Sequence, residues 1–199
     1  SFQTFHTGTS STERMRIDTS GNVGIGTSSP VRELTVKGGL LGFRNDTTGY
    51  AGSDGFDVGI SGTNAYLAQR ENASIIIETN ATEAMRIDSS GNLLVGKSGL
   101  DVGVVGQELR SSGYMAATRD GSTVGSYTRL TSDGTILEFR KDGTAVGSIG
   151  TNGGRVYVSS GNSGLRLDYG AGNAVVPSDA TGNLYNGGVD LGAAAARFK

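Results

Sequence analysis

The sequence predicts an all-β fold of short antiparallel strands and hairpins whose core is shared between identical chains. Abundant glycine, thin apolar content and an internal repeat predict it. Glycine occurs 34 times in 199 residues, more than twice the usual ~7%, which leaves little room for helices of normal length. Leu, Ile, Val and Phe together number 44, close to the level below which a highly charged chain is disordered. The formal net charge, however, is only −2. So little apolar mass does not make a self-sufficient globular core, and so little charge does not make a solvated tail. An extended fold that pools its core with identical copies meets both constraints.

The repeat runs from Thr12 to Gly26, TERMRIDTSGNVGIG, and again from Thr82 to Gly96, TEAMRIDSSGNLLVG, 70 residues on with ten of fifteen positions identical. In Met15-Arg16-Ile17-Asp18 apolar and charged residues alternate, so Met15 and Ile17 share one strand face and Arg16 and Asp18 the other. Thr19-Ser20-Gly21-Asn22 supplies the turn, and Asp18 is placed to bond the backbone two residues on. Val23 and Ile25 then alternate with Gly24 and Gly26, which completes a hairpin with one apolar face. The second copy places Met85 and Ile87 before its turn and Leu93 and Val95 after it, with Leu94 at the position of Gly24. A degenerate third copy is expected at Leu165-Arg166-Leu167-Asp168, followed by Gly172-Asn173-Ala174-Val175. Met15, Ile17, Val23, Ile25, Met85, Ile87, Leu93 and Val95 are therefore the candidates for the shared core. Arg16, Asp18, Gly24 and Gly26 are expected on the outer face, Arg16 and Asp18 pairing across chains and the glycines admitting close approach of a neighbour.

Four Asp-Gly pairs, at Asp54, Asp120, Asp133 and Asp142, predict tight hairpin turns, because both residue types tolerate positive φ. Thr135 to Lys141 and Thr144 to Ile149 flank the last of them and form the clearest hairpin. Arg155-Val156-Tyr157-Val158 reads as a further strand, and Ile75-Ile76-Ile77 is a β-favouring run. Pro30 and Pro177 are expected outside strands. Ala193 to Ala196 reads as a terminal turn, since so short a helix would be marginal. The chain divides into a first β repeat at 1–47, a second at 48–100, a hairpin-rich β segment at 101–170 and a C-terminal connector at 171–199.

Catalytic chemistry is not legible. There is no cysteine, and His6 is the one histidine. Disulfides, thiolate metal sites and Cys/His catalysis are thereby excluded, and a Ser-His-Asp triad is disfavoured. Phe5-His6-Thr7 reads as a strand surface. Two carboxylates would suffice for glycoside hydrolysis, and Asp54 with Asp57, or Glu71 with Glu78, are close in sequence. Asp54 nevertheless reads as a turn residue and Glu78 as a strand residue before a turn. Gly24-Ile25-Gly26 lacks the third glycine and the helix of a phosphate loop. No apolar run approaches a membrane span, no signal peptide is visible, and a pI of 5.4 gives no nucleic-acid footprint. The expectation is a protein that is not an enzyme, with no catalytic, metal-binding or cofactor-binding residues and neither nucleic-acid binding nor membrane insertion. Tyr50, Phe56, Tyr66 and Tyr114 are the candidate ligand contacts, because flat aromatic faces suit sugar rings. Core packing suits them equally and is the favoured role.

Glu13 to Pro30, ERMRIDTSGNVGIGTSSP, with Leu34-Thr35-Val36 after it, resembles a repeat of bacteriophage tail-fibre proteins of the marine and environmental type. Asp133 to Gly150, DGTILEFRKDGTAVGSIG, resembles a second block of the same proteins. Ala174 to Lys199 resembles the stretch before their C-terminal, self-cleaving intramolecular chaperone, of the kind found in phage endosialidases. The three blocks cover roughly half the chain in the family's order; Ala84 stands where the first copy has Arg14, and Ala193 to Ala195 where serine is commoner. The resemblance implies an elongated trimeric fibre, a β-prism or intertwined β-helix segments, that forms the homotrimeric shaft of a virion tail fibre. Its implied partners are other tail proteins and a host surface glycan or outer-membrane protein, with the four aromatics as receptor contacts. It further implies that the chain, which begins at Ser1, is a piece of a longer protein whose chaperone region lies beyond it. A bacterial surface adhesin built from the same repeats is the alternative, and a glycan-depolymerase tailspike a more remote one.

Overall fold

The computed structural model describes residues 2–4, 12–170, 172–185, 192–193 and 196–197. His6 lies outside them, as does the rest of the connector. Among the described residues there are nineteen strands and no helix, in two units, residues 1–122 and 123–199.

The first unit opens with β1 (Phe2–Thr4), β2 (Thr12–Ile17), β3 (Val23–Ile25) and β4 (Leu34–Val36), one sheet in that order. The first repeat is the β2–β3 hairpin, with Ile17 opposite Val23 and Met15 opposite Ile25; β4 then joins β3 in parallel. Next come β5 (Leu40–Phe43), β6 (Phe56–Ser61) and β7 (Asn64–Gln69), a three-stranded antiparallel sheet. The unit closes with β8 (Ile75–Thr79), β9 (Thr82–Ile87), β10 (Leu93–Val95), β11 (Gly106–Leu109) and β12 (Met115–Thr118), a five-stranded antiparallel meander. Its β9–β10 hairpin is the second repeat, with Ile87 opposite Leu93 and Met85 opposite Val95.

In the second unit, β13 (Gly134–Lys141), β14 (Thr144–Asn152), β15 (Arg155–Ser160), β16 (Ser163–Asp168) and β17 (Ala174–Ser178) form another antiparallel meander. The short pair β18 (Gly192–Ala193) and β19 (Ala196–Arg197) follows, so Ala193 and Ala196 face each other across a ladder. All strand pairs in substantial contact are ladder neighbours.

Sequence signals for turns need three corrections. Of the four Asp-Gly pairs, only Asp142-Gly143, with φ of 50° and 79°, closes a two-residue hairpin. Gly55 instead leads into β6 and Gly134 opens β13, while Asp120-Gly121 lies outside the strands. Pro177 stands inside β17, which is tolerated because β17 is an edge strand. The third repeat, expected from Leu165, is also displaced. Leu165 to Asp168 lies in β16 and pairs with β17, but the repeat's turn chemistry comes later, at Asp179-Ala180-Thr181-Gly182-Asn183.

That turn occurs three times with one construction. In Asp18–Asn22 the amides of Ser20 and Asn22 donate to Asp18 Oδ1 at 2.8 and 2.9 Å. Those of Ser90 and Asn92 donate to Asp88 Oδ1 at 2.9 Å each, and those of Thr181 and Asn183 to Asp179 Oδ1 at 2.8 and 2.9 Å. The asparagine amide reaches the other carboxylate oxygen at 3.1, 2.8 and 2.9 Å in turn. Gly21, Gly91 and Gly182 hold φ of 85°, 81° and 81°, the left-handed residue that a type I turn with a bulge requires. Arg110–Tyr114 has the same backbone bonds and Gly113 at φ 86°, without the aspartate.

Candidate assembly interface: the open apolar sheet faces

Alternation gives every strand two faces, and in this chain they are treated in the reverse of the usual way. The apolar face is left open and the polar face is covered. In the first sheet the rows Ile17–Val23–Leu34 and Met15–Ile25–Val36 lie on one side. In the three-stranded sheet the corresponding side carries Phe43, Phe56, Leu41, Val58 and Leu67. In the second-repeat sheet the row Ile75–Ile87–Leu93–Leu109–Met115 crosses all five strands. In the second unit Leu137, Ile149, Val158, Leu165 and Pro177 do the same. Ile17, Ile25, Ile87, Val95, Leu109, Val158 and Leu167 are all exposed, whereas Asp57, Glu108, Arg166 and Asp168 are buried.

All eight candidates for the shared core stand on these open faces: Met15, Val23, Met85 and Leu93 half-buried, Ile17, Ile25, Ile87 and Val95 exposed. The expected outer face is where the chain supplies its own cover. Gly24 is buried, and a Cβ there would meet the Thr27 carbonyl oxygen at 2.5 Å. Leu94, taken as outward, is 0% exposed. Arg16 bonds Glu13 of its own chain at 2.6 Å, as Arg86 does Glu83, and Asp18 is consumed by its turn. The loop that follows each repeat hairpin lies against this side, Thr27 and Pro30 over Gly24 in the first copy and Lys97 and Asp101 bonded to Glu108 in the second.

On the covered faces a cluster recurs that the sequence does not reveal. A buried carboxylate is held between two cations, one of which stacks on a tyrosine. Asp57 accepts from Arg44 at 3.0 Å and Arg70 at 2.9 Å, and Arg70 lies 5.6 Å from the Tyr66 ring centre. Glu108, 1% exposed, accepts from Lys97 at 2.6 Å and Arg110 at 2.8 Å, with Arg110 4.7 Å from Tyr114. Asp168 accepts from Arg155 at 2.8 Å and from Arg166, with Arg155 4.7 Å from Tyr169. Hydrogen bonds from Lys97 first, then from Arg110 and the Asp101 amide, hold Glu108 down to about 2. The Asp57 carboxyl is lowered chiefly by Arg70 and then Arg44. At Asp168 burial pushes upward, but the arginine bonds outweigh it and the carboxyl is lowered.

The four aromatic candidates are not alike. Phe56 belongs to the open face of its sheet, opposite Phe43. Tyr66 lies on the covered side against Arg70, and Tyr114 stacks on Arg110 in the turn before β12. Tyr50 is exposed in the loop after β5, its hydroxyl bonding Asp46 at 2.7 Å. Three of the four carboxylates weighed for hydrolysis have architectural partners. Asp54 accepts from the Ala51 amide at 2.7 Å, Glu71 accepts from the Gly55 amide at 2.8 Å, and Asp57 is enclosed by its arginines. Among the described residues no group of three His, Asp or Glu is arranged to hold a metal ion.

Comparison with protein-family models, with curated proteins and with solved structures finds no significant match.

Proposed function

We propose that this chain is a shaft segment of a homotrimeric bacteriophage tail fibre, serving host attachment by carrying and spacing the receptor-binding parts. The observation that supports this most is the open apolar face on every large sheet. Burying one Ile, Leu or Val side chain contributes ~1.5–3 kcal/mol, and the rows on these sheets hold many that the chain itself does not cover. Further copies of the same chain meet that need and seal the sheet edges against aggregation. The number three, the virion location and the host-surface partner, a glycan or outer-membrane protein, rest on the resemblance of the repeat and of the two later blocks to tail-fibre proteins.

Light scattering on the purified chain tests the reading. The expected mass is three times the 20.3 kDa chain, retained on heating in detergent. Ile87→Asp, on the open face, is expected to abolish the assembly, because each copy would bring a carboxylate into the shared core. A folded monomer from the unsubstituted chain would sink the proposal.

A further inference from the structure

Four Asp-Gly pairs and Asn152-Gly153 lie within the described residues, and the fold restrains them unequally. Such pairs are chemically labile. The glycine nitrogen can close on the side-chain carbonyl carbon before it, because glycine has no Cβ to obstruct the approach. Closure needs a free side chain, a free amide and a peptide able to rotate. At the first pair the Asp54 carboxylate accepts from the Ala51 amide at 2.7 Å, and the Gly55 amide donates to Glu71 at 2.8 Å. Asp133 accepts from the Gly153 amide at 2.7 Å, a bond that holds its carboxyl below the usual carboxylate range, and Gly134 stands in β13 opposite Thr151. The same bond occupies the amide of Asn152-Gly153, whose Asn152 side chain donates to the Thr181 carbonyl at 3.1 Å. Asp142 holds φ of 50° in a turn closed by the Lys141–Thr144 pair and by Arg140 donating to the Gly143 carbonyl at 2.8 Å. Asp120-Gly121 has none of these restraints. Both residues are exposed, as are all of residues 119–133. Among the described residues neither the Asp120 carboxylate nor the Gly121 amide has a hydrogen-bond partner, and nothing stands within 4 Å of the place a Cβ would take at Gly121.

We infer that the fold leaves Asp120 as a modification site, where aspartate converts spontaneously to isoaspartate while the other four pairs are protected. The Gly121 nitrogen attacks Asp120 Cγ and gives up its proton. The N–Cγ bond forms, the Cγ–OH bond breaks and water leaves, which yields a cyclic succinimide. Water then adds to the Asp120 main-chain carbonyl carbon, and the bond from that carbon to the Gly121 nitrogen breaks. The water lost is regained, so the mass is unchanged and no other reactant is needed. The main chain now runs through Cβ and Cγ, one carbon longer, just before the second unit begins at Thr123. The inference stands apart from the proposed homotrimer.

The purified chain is aged for several weeks at neutral pH and body temperature, once as the native protein and once in guanidinium chloride. Isoaspartate is labelled with an isoaspartyl carboxyl methyltransferase and located by peptide mapping and mass spectrometry. In the native protein the expected yield at Asp120 is several-fold above that at Asp54, Asp133, Asp142 and Asn152. In denaturant Asp120 is expected to lose its lead, because every pair is then free. Asp120→Glu is expected to remove the native signal at that position, since the longer side chain closes a larger ring far more slowly. Native yields that are equal among the pairs, highest at another pair, or absent at Asp120 overturn the inference. A lead at Asp120 that persists unchanged in denaturant also overturns it, because the local sequence and not the fold would then set the rate.

Discussion

The two copies of the repeat fold into the same hairpin and then diverge. In both, the ladder pairs the same positions, Ile17 with Val23 and Ile87 with Leu93. Both use the same aspartate-capped turn and the same Glu–Arg pair three residues apart. The difference is one position on the covered face. Where the first copy has Gly24, the loop at Thr27 and Pro30 lies directly on the backbone. Where the second has Leu94, the side chain is wholly buried between Arg86 and Glu108 in the ladder. The chain therefore continues differently. After β3 it runs back as the parallel strand β4, and after β10 it returns antiparallel as β11. One hairpin unit thus carries two different covers within the same chain.

The sharpest way to break the second cover is through its ion pair. Lys97 Nζ reaches Glu108 Oε1 at 2.6 Å and also the Asp101 carbonyl, while the Asp101 amide donates to the same carboxylate oxygen at 2.9 Å. These bonds fasten the loop over Leu94. Glu108→Ala would leave the Lys97 ammonium buried and unpaired, which is among the costliest single changes a protein can suffer. The expected result is a fall in Tm larger than that from Leu94→Ala or Gly24→Ala. It is read by calorimetry at fixed protein concentration, since assembly makes Tm concentration-dependent. The double variant Lys97→Met with Glu108→Leu is expected to regain much of the loss. Failure to regain any of it would show that the loop is held by other contacts.

The glycine–leucine difference can be tested directly. Leu94→Ala removes a buried side chain and is expected to destabilise by about 2–5 kcal/mol. Gly24→Ala forces a methyl against the Thr27 carbonyl and is expected to destabilise by about 1–3 kcal/mol. The two act by opposite means, a void in one copy and a clash in the other. Equal tolerance of alanine at both positions would mean that the covers do not pack as described. Urea unfolding with a shared m-value would measure both.

What the sequence made legible was local. The hairpins follow from period-two alternation and turn residues, and both are read within a dozen positions. Asp179–Asn183 was equally legible, because it repeats the aspartate, the Ser or Thr, the glycine and the asparagine of the other two turns. The apolar–Arg–apolar–Asp pattern does not lead to it, since Val176-Pro177-Ser178-Asp179 lacks the arginine and the second apolar residue. Alternation also grouped the eight open-face residues correctly among themselves. It does not say which face the chain covers, and so Leu94 and Gly24 read as outward. The buried carboxylate clusters were hidden for a different reason. Asp57 meets arginines thirteen residues away on both sides, and Asp168 one thirteen residues before it. Only the ladder brings them together.

The smallest expected effect belongs to the capped turns, and it has a sign in pH. Asp179 is held down to about 2, first by the Asn183 amide side chain and then by the Thr181 backbone; Asp18 and Asp88 are lowered by the equivalent bonds. A carboxylate whose folded value lies below its unfolded value contributes stability that is complete above the unfolded value, here 3.8, and is lost as pH falls toward 2. Between about pH 4 and pH 2 the unsubstituted protein is expected to lose stability progressively. Asp179→Asn keeps a side-chain oxygen to accept the amides but cannot change charge. It is expected to lower Tm slightly at neutral pH and to flatten part of the acid slope in the second unit. Arg110–Tyr114 provides the internal reference: it holds the same backbone turn without an aspartate, so that turn carries no acid dependence of its own. If Asp179→Asn left the acid slope as steep as before, the pH dependence would lie with Glu108 and the buried clusters, and the turns would act through backbone geometry and Gly182 alone.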